Sequence, residues 1–138
     1  MTTVAYKDGI VAYDSMITNG DSISSLKFDK HRTDKEGNHY FLAGVVSDYE
    51  KFINRESNVD CSAIVVYKNG EVKEIHCTEE GDYFEMIPSN QYSIGTGELV
   101  AMGAMDAGCS AKKALKIAKS RDIYTGGKIR TFKVDMEW

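Results

Sequence analysis

A threonine stands directly behind the initiator methionine in Met1-Thr2-Thr3. Methionine is removed ahead of small second residues, which would leave Thr2 as an N-terminus carrying a hydroxyl and a free amine together. An α-amino group titrates at about 7.7–8.0, so near neutrality a useful fraction is unprotonated and can take the hydroxyl proton. One residue then supplies nucleophile and base, the N-terminal threonine form of activated-nucleophile catalysis. That scheme also needs a cation to depress the amine pKa, a carboxylate to hold the cation, and a backbone N–H to receive the oxyanion. Met-Thr-Thr alone begins countless chains, so other residues have to carry the reading.

Other site chemistries find little support. His31, His39 and His76 lie in unrelated contexts with no H-x-x-x-H pairing, which argues against a metal centre or a Ser/His site. Cys61, Cys77 and Cys109 are odd in number and lack CxxC spacing, so they read as small, buried or half-buried residues rather than a disulfide framework or zinc site. Gly95-Thr96-Gly97 has glycines that could cradle phosphate, but no third glycine, lysine or acidic partner follows at the needed spacing. Glu79-Glu80 beside Gly81-Asp82 reads as a solvated acidic loop. No metal and no cofactor is expected.

Lys plus Arg number 17 against 21 Asp plus Glu, giving a net charge of −4 with no basic block or stripe, so nucleic acid is not an expected partner. No apolar run approaches the ~20 residues of a membrane helix, and the N-terminus lacks the order of a signal peptide. A cytoplasmic protein with no membrane association is expected. The 138 residues, with 42% hydrophobic residues and one proline, suit a single globular domain over 1–138.

The elements that must position Thr2 follow from turn signals and periodicity. Residues 2–14 read as two short strands around Asp8-Gly9, a hairpin turn dipeptide. Asn19-Gly20 marks a turn, SLKFDKHRT returns to a strand pattern, and Glu36-Gly37-Asn38 turns again. HYFLAGVV, residues 39–46, suits a buried strand, and Ser47 to Arg55 a brief helix with Ser47 as its cap. Cys61–Tyr67 and Glu71–His76 flank Asn69-Gly70 as a second hairpin. Tyr92–Ile94 is a strand, Gly95-Thr96-Gly97 opens a helix with Leu99, Met102 and Met105 on one face, and Ser110 caps another. In this second helix Ala111, Ala114, Leu115 and Ala118 form the apolar stripe, Tyr124-Thr125-Gly126-Gly127 ends it, and KIRTFKVDM alternates as a last strand. Antiparallel strands with segregated helices predict an α+β fold.

The stretches TTVAYKDGIVAYDSMITNGDSI, FDKH, FLAGVVSD and YSIGTGELVAMGAMDAGCSAKKALKIAKSRDIYTGGKI resemble, in order and spacing, the proteasome β-subunit and HslV peptidase family of N-terminal nucleophile hydrolases. The C-terminal block is the most specific: strand, Gly-Thr-Gly turn, helix with Met-Asp-x-Gly, and the Arg-Asp-x-Tyr-Thr-Gly-Gly ending occur together. The resemblance implies that Thr2 is the nucleophile and that Asp14, in AYDS, pairs with the catalytic lysine. That lysine is Lys30, 16 residues further on, with Lys27 as the competing assignment. Gly44 corresponds to the glycine whose N–H binds the oxyanion, Thr96 to the serine near the amine, and Asp122 with Thr125 to the pair completing that network. Thr18 resembles the residue that bonds a bound peptide backbone, and Leu42 a specificity-pocket residue.

What the resemblance further implies is a four-layer αββα sandwich, a threonine-type peptidase acting on peptides or unfolded proteins, a homo-oligomer as ring or dimer, and an unfolding ATPase as candidate partner. The chain departs from the family in a first hairpin shorter by about four residues, where two lost from each arm would preserve the register. Between Ser47 and Cys61 there is room for one short helix in place of two longer ones, so one helical layer must be thin. Met16 stands where arginine is frequent, and Val45 replaces a second glycine. Two alternatives stand beside the peptidase: a non-catalytic scaffold or binding protein, such as a small viral or mobile-element member, that retains Met1, and an amidase acting on a small amide through the same Thr2 chemistry.

Overall fold

The structure is a computed structural model and describes residues 2–78, 80–86 and 90–134. Met1 and Glu79, both invoked above, lie outside the described residues. In chain order the elements are β1 (Thr3–Lys7), β2 (Ile10–Tyr13), β3 (Ile17–Asn19), β4 (Ser22–Ser25), β5 (His31–Thr33) and β6 (His39–Gly44). A 3-10 turn (Val46–Asp48) leads into α1 (Tyr49–Ile53), followed by β7 (Cys61–Val66), β8 (Val72–Cys77), β9 (Tyr83–Met86) and β10 (Gln91–Gly95). Two helices, α2 (Glu98–Asp106) and α3 (Ala111–Arg121), precede β11 (Arg130–Lys133). The fold is α+β.

Asp8 and Gly9 join β1 to β2 with φ of 49° and 81°, the left-handed pair that a two-residue hairpin turn demands. With that turn set, Ala5 faces Ala12 and Val4 faces Tyr13. β10 adds to β1 and β11 to β2, giving a four-stranded sheet in the order β10-β1-β2-β11. A five-stranded antiparallel sheet runs β5-β6-β7-β8-β9, and β3 and β4 form a separate hairpin.

The period-two alternation of β1 decides what packs where. Val4, Val11 and Ile94 point into the space between the two large sheets, where they meet Phe41, Ile64 and Val66. Ala5 and Ala12 point the other way, and their small side chains receive Ala114, Leu115 and Ala118 of α3 with Ala101 and Met105 of α2. The far face of the five-stranded sheet, through Leu42, Ala63 and Ile75, is covered by Tyr49 and Phe52 of α1. Burial on both faces of both sheets is the main driving force of the fold.

Two local expectations need correction. Leu99 was expected on the packed face of α2 but is 82% exposed, whereas Ala101 and Met105 are buried. Residues four apart share a helix face, and Leu99, two residues before Ala101, falls on the opposite side. Ser47 does not cap the following helix; α1 begins after Asp48, whose side chain makes no cap hydrogen bond. The Asp48 carboxylate instead accepts from the Asp60 N–H at 3.1 Å, tying the two ends of this short segment together. Ser110 does cap α3, accepting from the Lys113 N–H at 3.1 Å. Among the described residues no helix is long and apolar enough to cross a membrane.

Candidate active site

The first hairpin carries the chain's N-terminal residues to the end of β2, where Asp14 begins. There the Thr2 hydroxyl donates to Asp14 Oδ1 at 2.9 Å. The same oxygen takes Lys30 Nζ at 2.7 Å, in an ion pair with neither side chain exposed. Lys30 arrives from across the molecule: its carbonyl accepts from the Leu42 N–H at 3.1 Å, which anchors it beside β6, and Phe28 N–H to Ser15 O at 2.9 Å holds the preceding loop. Lys27 is exposed and takes no part. Asp14 Oδ2 accepts the Gly126 N–H at 3.0 Å, so both carboxylate oxygens are engaged. Burial pushes the Lys30 ammonium below the usual lysine range, and Asp14 opposes that push.

A second network lies on the other side of Thr2. Its carbonyl accepts from the Thr96 N–H at 2.8 Å, and the Gly97 N–H donates to Thr3 Oγ1 at 3.1 Å. Thr3 Oγ1 and Thr125 Oγ1 are 2.6 Å apart, Thr125 donates to Asp122 Oδ2 at 2.7 Å, and the Thr96 hydroxyl donates to the same oxygen. Burial by itself would raise the Asp122 carboxyl, but the Thr96 and Thr125 hydroxyls and the Tyr124 N–H outweigh it and hold the group below the usual aspartate range. Glycine is obligatory in this turn. Gly95 has φ of 101° and a Cβ there would lie 1.9 Å from Thr2 O; at Gly97 it would lie 2.3 Å from Thr3 Oγ1.

A cleft of about 350 Å³ opens beside Thr2. Thr2, Thr18, Lys30 and Gly44 line it together with Ile17, Val45, Val46, Ser47, Tyr49 and Asp60. Gly44 has φ of 129°, and a Cβ would sit 2.3 Å from Asp60 O and 2.8 Å from Cys61 Cα. Leu42 is fully buried in the core behind this wall and is not among the cleft residues. The structure therefore gathers Thr2, Asp14, Lys30, Thr18 and Gly44 at one place, with Thr96, Asp122 and Thr125 behind Thr2.

Sequence reading overlooked Thr3, the Gly126 N–H and Asp60. The doubled threonine was a usable signal for the first, since strand alternation sends successive side chains to opposite sides. No local signal marks the other two, because each depends on segments distant in sequence.

No family model matches the chain, and no curated protein matches it. Solved structures do. Thiobacillus denitrificans BPH in complex with epoxomicin superimposes with a TM-score of 0.70 at 14% identity, covering 97% of this chain and 98% of that one. A further structure of Thiobacillus denitrificans BPH gives 0.70 at 14%, covering 99% of each chain. Eukaryotic HslV from Trypanosoma brucei gives 0.70 at 17%, covering 96% of this chain and 98% of that one. Near-complete coverage at such low identity is a likeness of backbone, and this chain shares the α+β fold of HslV and of Thiobacillus denitrificans BPH.

Proposed function

We propose that the protein is a threonine-type peptidase whose nucleophile is Thr2, exposed by removal of Met1. The observation that carries the reading is the Thr2 hydroxyl bonded to a buried Asp14–Lys30 ion pair on the wall of an open cleft. Thr2 Oγ1 attacks the substrate carbonyl while the Thr2 amine takes its proton, and the nearby ammonium of Lys30, held by Asp14, keeps that amine's pKa low. The oxyanion is received by the Gly44 N–H, and the amine passes its proton to the departing amine of the substrate. Water, deprotonated by the same amine, then hydrolyses the ester on Thr2. Thr96, Asp122 and Thr125 keep the Thr2 backbone in place, and Thr18 bonds the substrate backbone. Leu42 shapes the specificity pocket from behind the cleft wall.

The wider reading is a single domain over 1–138, a four-layer αββα sandwich with a thin helical layer at α1. The three apolar clusters support it, one between the sheets and one on each outer face. Peptide or unfolded-protein substrates, assembly as a ring or dimer, a cytoplasmic setting and an unfolding ATPase partner belong to the same proposal by analogy with the HslV and proteasome family.

Epoxomicin, present in one of the superimposed structures, is the natural probe. The test is the intact mass of the protein from its native host with and without this epoxyketone. Loss of one methionine mass with an adduct that Thr2→Ala abolishes supports the peptidase. Retained Met1 with no adduct overturns it in favour of a scaffold.

A further inference from the structure

The cleft beside Thr2 is lined mainly by neutral side chains: Ile17, Val45, Val46 and Tyr49, with the hydroxyls of Thr18 and Ser47. Two lining residues carry formal charge, Lys30 and Asp60. The charge of Lys30 is cancelled at 2.7 Å by Asp14, with both groups buried. Asp60 is different. It is exposed, and among the described residues its carboxylate accepts no hydrogen bond and joins no ion pair.

Its backbone is nevertheless held firmly. The Asp60 N–H donates to Asp48 Oδ2 at 3.1 Å, and its carbonyl accepts from the Val45 N–H at 3.0 Å. That carbonyl also lies against Gly44, 2.3 Å from where a Cβ would stand, which puts Asp60 next to the glycine that lines the cleft with Thr2. Asp48, which accepts the Asp60 N–H, does not line the cleft and has its own cation, Lys51, at 4.0 Å. The wall therefore ends in negative charge on a fixed backbone, beside an apolar surface.

Resting on the peptidase reading, we propose that Asp60 is a specificity-determining residue and that the enzyme prefers substrates with a basic side chain, lysine or arginine, next to the bond it cuts. Such side chains combine an apolar stem, suited to Ile17, Val45 and Val46, with a cationic head that would pair with the unengaged carboxylate. An aliphatic side chain could use the stem contacts alone. An acidic one would meet like charge.

The experiment uses protein from which Met1 has been removed, as verified by mass, and short fluorogenic peptides that differ only in the residue before the cut: arginine, lysine, leucine or glutamate. Labelling of Thr2 by epoxomicin is measured in parallel. We expect a higher kcat/KM for arginine and lysine than for leucine, with glutamate lowest. Asp60→Asn should lower the arginine-to-leucine ratio by about tenfold, the scale of one lost charge-assisted hydrogen bond. Asp60→Glu should restore the ratio, and Asp60→Lys should turn it toward glutamate. Asn keeps the backbone contacts, and thermal unfolding checks that each variant is folded. A labelled enzyme that favours leucine, or whose ratio is unmoved in Asp60→Asn, overturns the inference and leaves the peptidase standing. A wild-type protein that takes no epoxomicin and cuts none of the peptides overturns the peptidase reading, and this inference with it.

Discussion

Asp14 Oδ1 lies 2.7 Å from Lys30 Nζ in an ion pair that meets no solvent on either side. Asp14 follows β2, an inner strand of the four-stranded sheet, and Lys30 precedes β5, the edge strand of the five-stranded sheet. The β3–β4 hairpin lies between them in the chain, so the pair ties the hairpin that carries Thr2 to the cleft wall. Breaking a buried pair by removing one partner leaves an uncompensated charge, at a cost of about 3–5 kcal/mol. Lys30→Ala is expected to lose stability on that scale, read as a lowered midpoint in guanidinium unfolding, and to abolish epoxomicin labelling. A variant of near wild-type stability would show that the pair contributes little.

Gly44→Ala should disable the site without touching Thr2. The left-handed φ of 129° suits glycine, and the added methyl would stand 2.3 Å from Asp60 O, a backbone atom that cannot swing aside. Forced residues in such conformations cost about 1–3 kcal/mol before any clash. The expected outcome is a destabilised protein with little labelling. Wild-type unfolding and labelling rates in Gly44→Ala would contradict the role given to this backbone.

Thr125→Val tests the network behind Thr2. Valine keeps the shape but removes the hydroxyl that bonds Asp122 Oδ2 at 2.7 Å and Thr3 Oγ1 at 2.6 Å. Losing a buried hydrogen bond of this kind costs about 1–3 kcal/mol. The Asp122 carboxyl, now without one of the hydroxyls that hold it low, should titrate at higher pH, which carbon-detected NMR of the side-chain carboxyl can follow. An unmoved titration would mean that Thr125 does not act on Asp122.

A pH dependence is expected at the edge of the five-stranded sheet. His31 Nε2 and His39 Nδ1 are 2.8 Å apart, and the His31 ring stacks on Phe41 at 4.8 Å. Burial, and next the neighbouring His39, push His31 below its ordinary 6.5; Asp29 acts in the opposite sense and Arg32 in the same sense. The folded protein thus holds fewer protons than the unfolded chain between the lowered value and 6.5, so stability is full above 6.5 and falls as pH drops through that window. Unfolding midpoints from pH 7 to 4.5 should decline more steeply in the wild type than in His31→Phe. Parallel curves would remove His31 from the account.

Much of the fold could be read locally. Asp8-Gly9 and the Asn69-Gly70 turn announce hairpins because only a few residues accept left-handed φ, and Ser110 announces a helix start because its side chain can accept a free N–H. The alternation of Val4 against Ala5 already separates the inter-sheet face from the helix-covered face. Less legible were the faces of short helices. Leu99 looks like a packing residue by type, but the small Ala101 is what lets α2 approach the sheet. The β9 strand and the split of SLKFDKHRT into β4, an irregular loop and β5 were not apparent either, since five polar-rich residues can cross a sheet edge or extend it depending on what lies opposite.

By itself the sequence determined the hairpins, the capped third helix, the identity of the residues with chemistry to offer, and the separation of 16 residues between Asp14 and Lys30. Only the tertiary structure decided that Lys30 rather than Lys27 reaches Asp14, that Gly126 closes the second carboxylate oxygen, that Leu42 is core, and that Asp60 stands against Gly44. The reason is one of range. Turn conformation, capping and side-chain alternation are settled by a few neighbouring residues, whereas a buried ion pair or a cleft wall is assembled from segments far apart in the chain, and no local preference specifies which of them will meet.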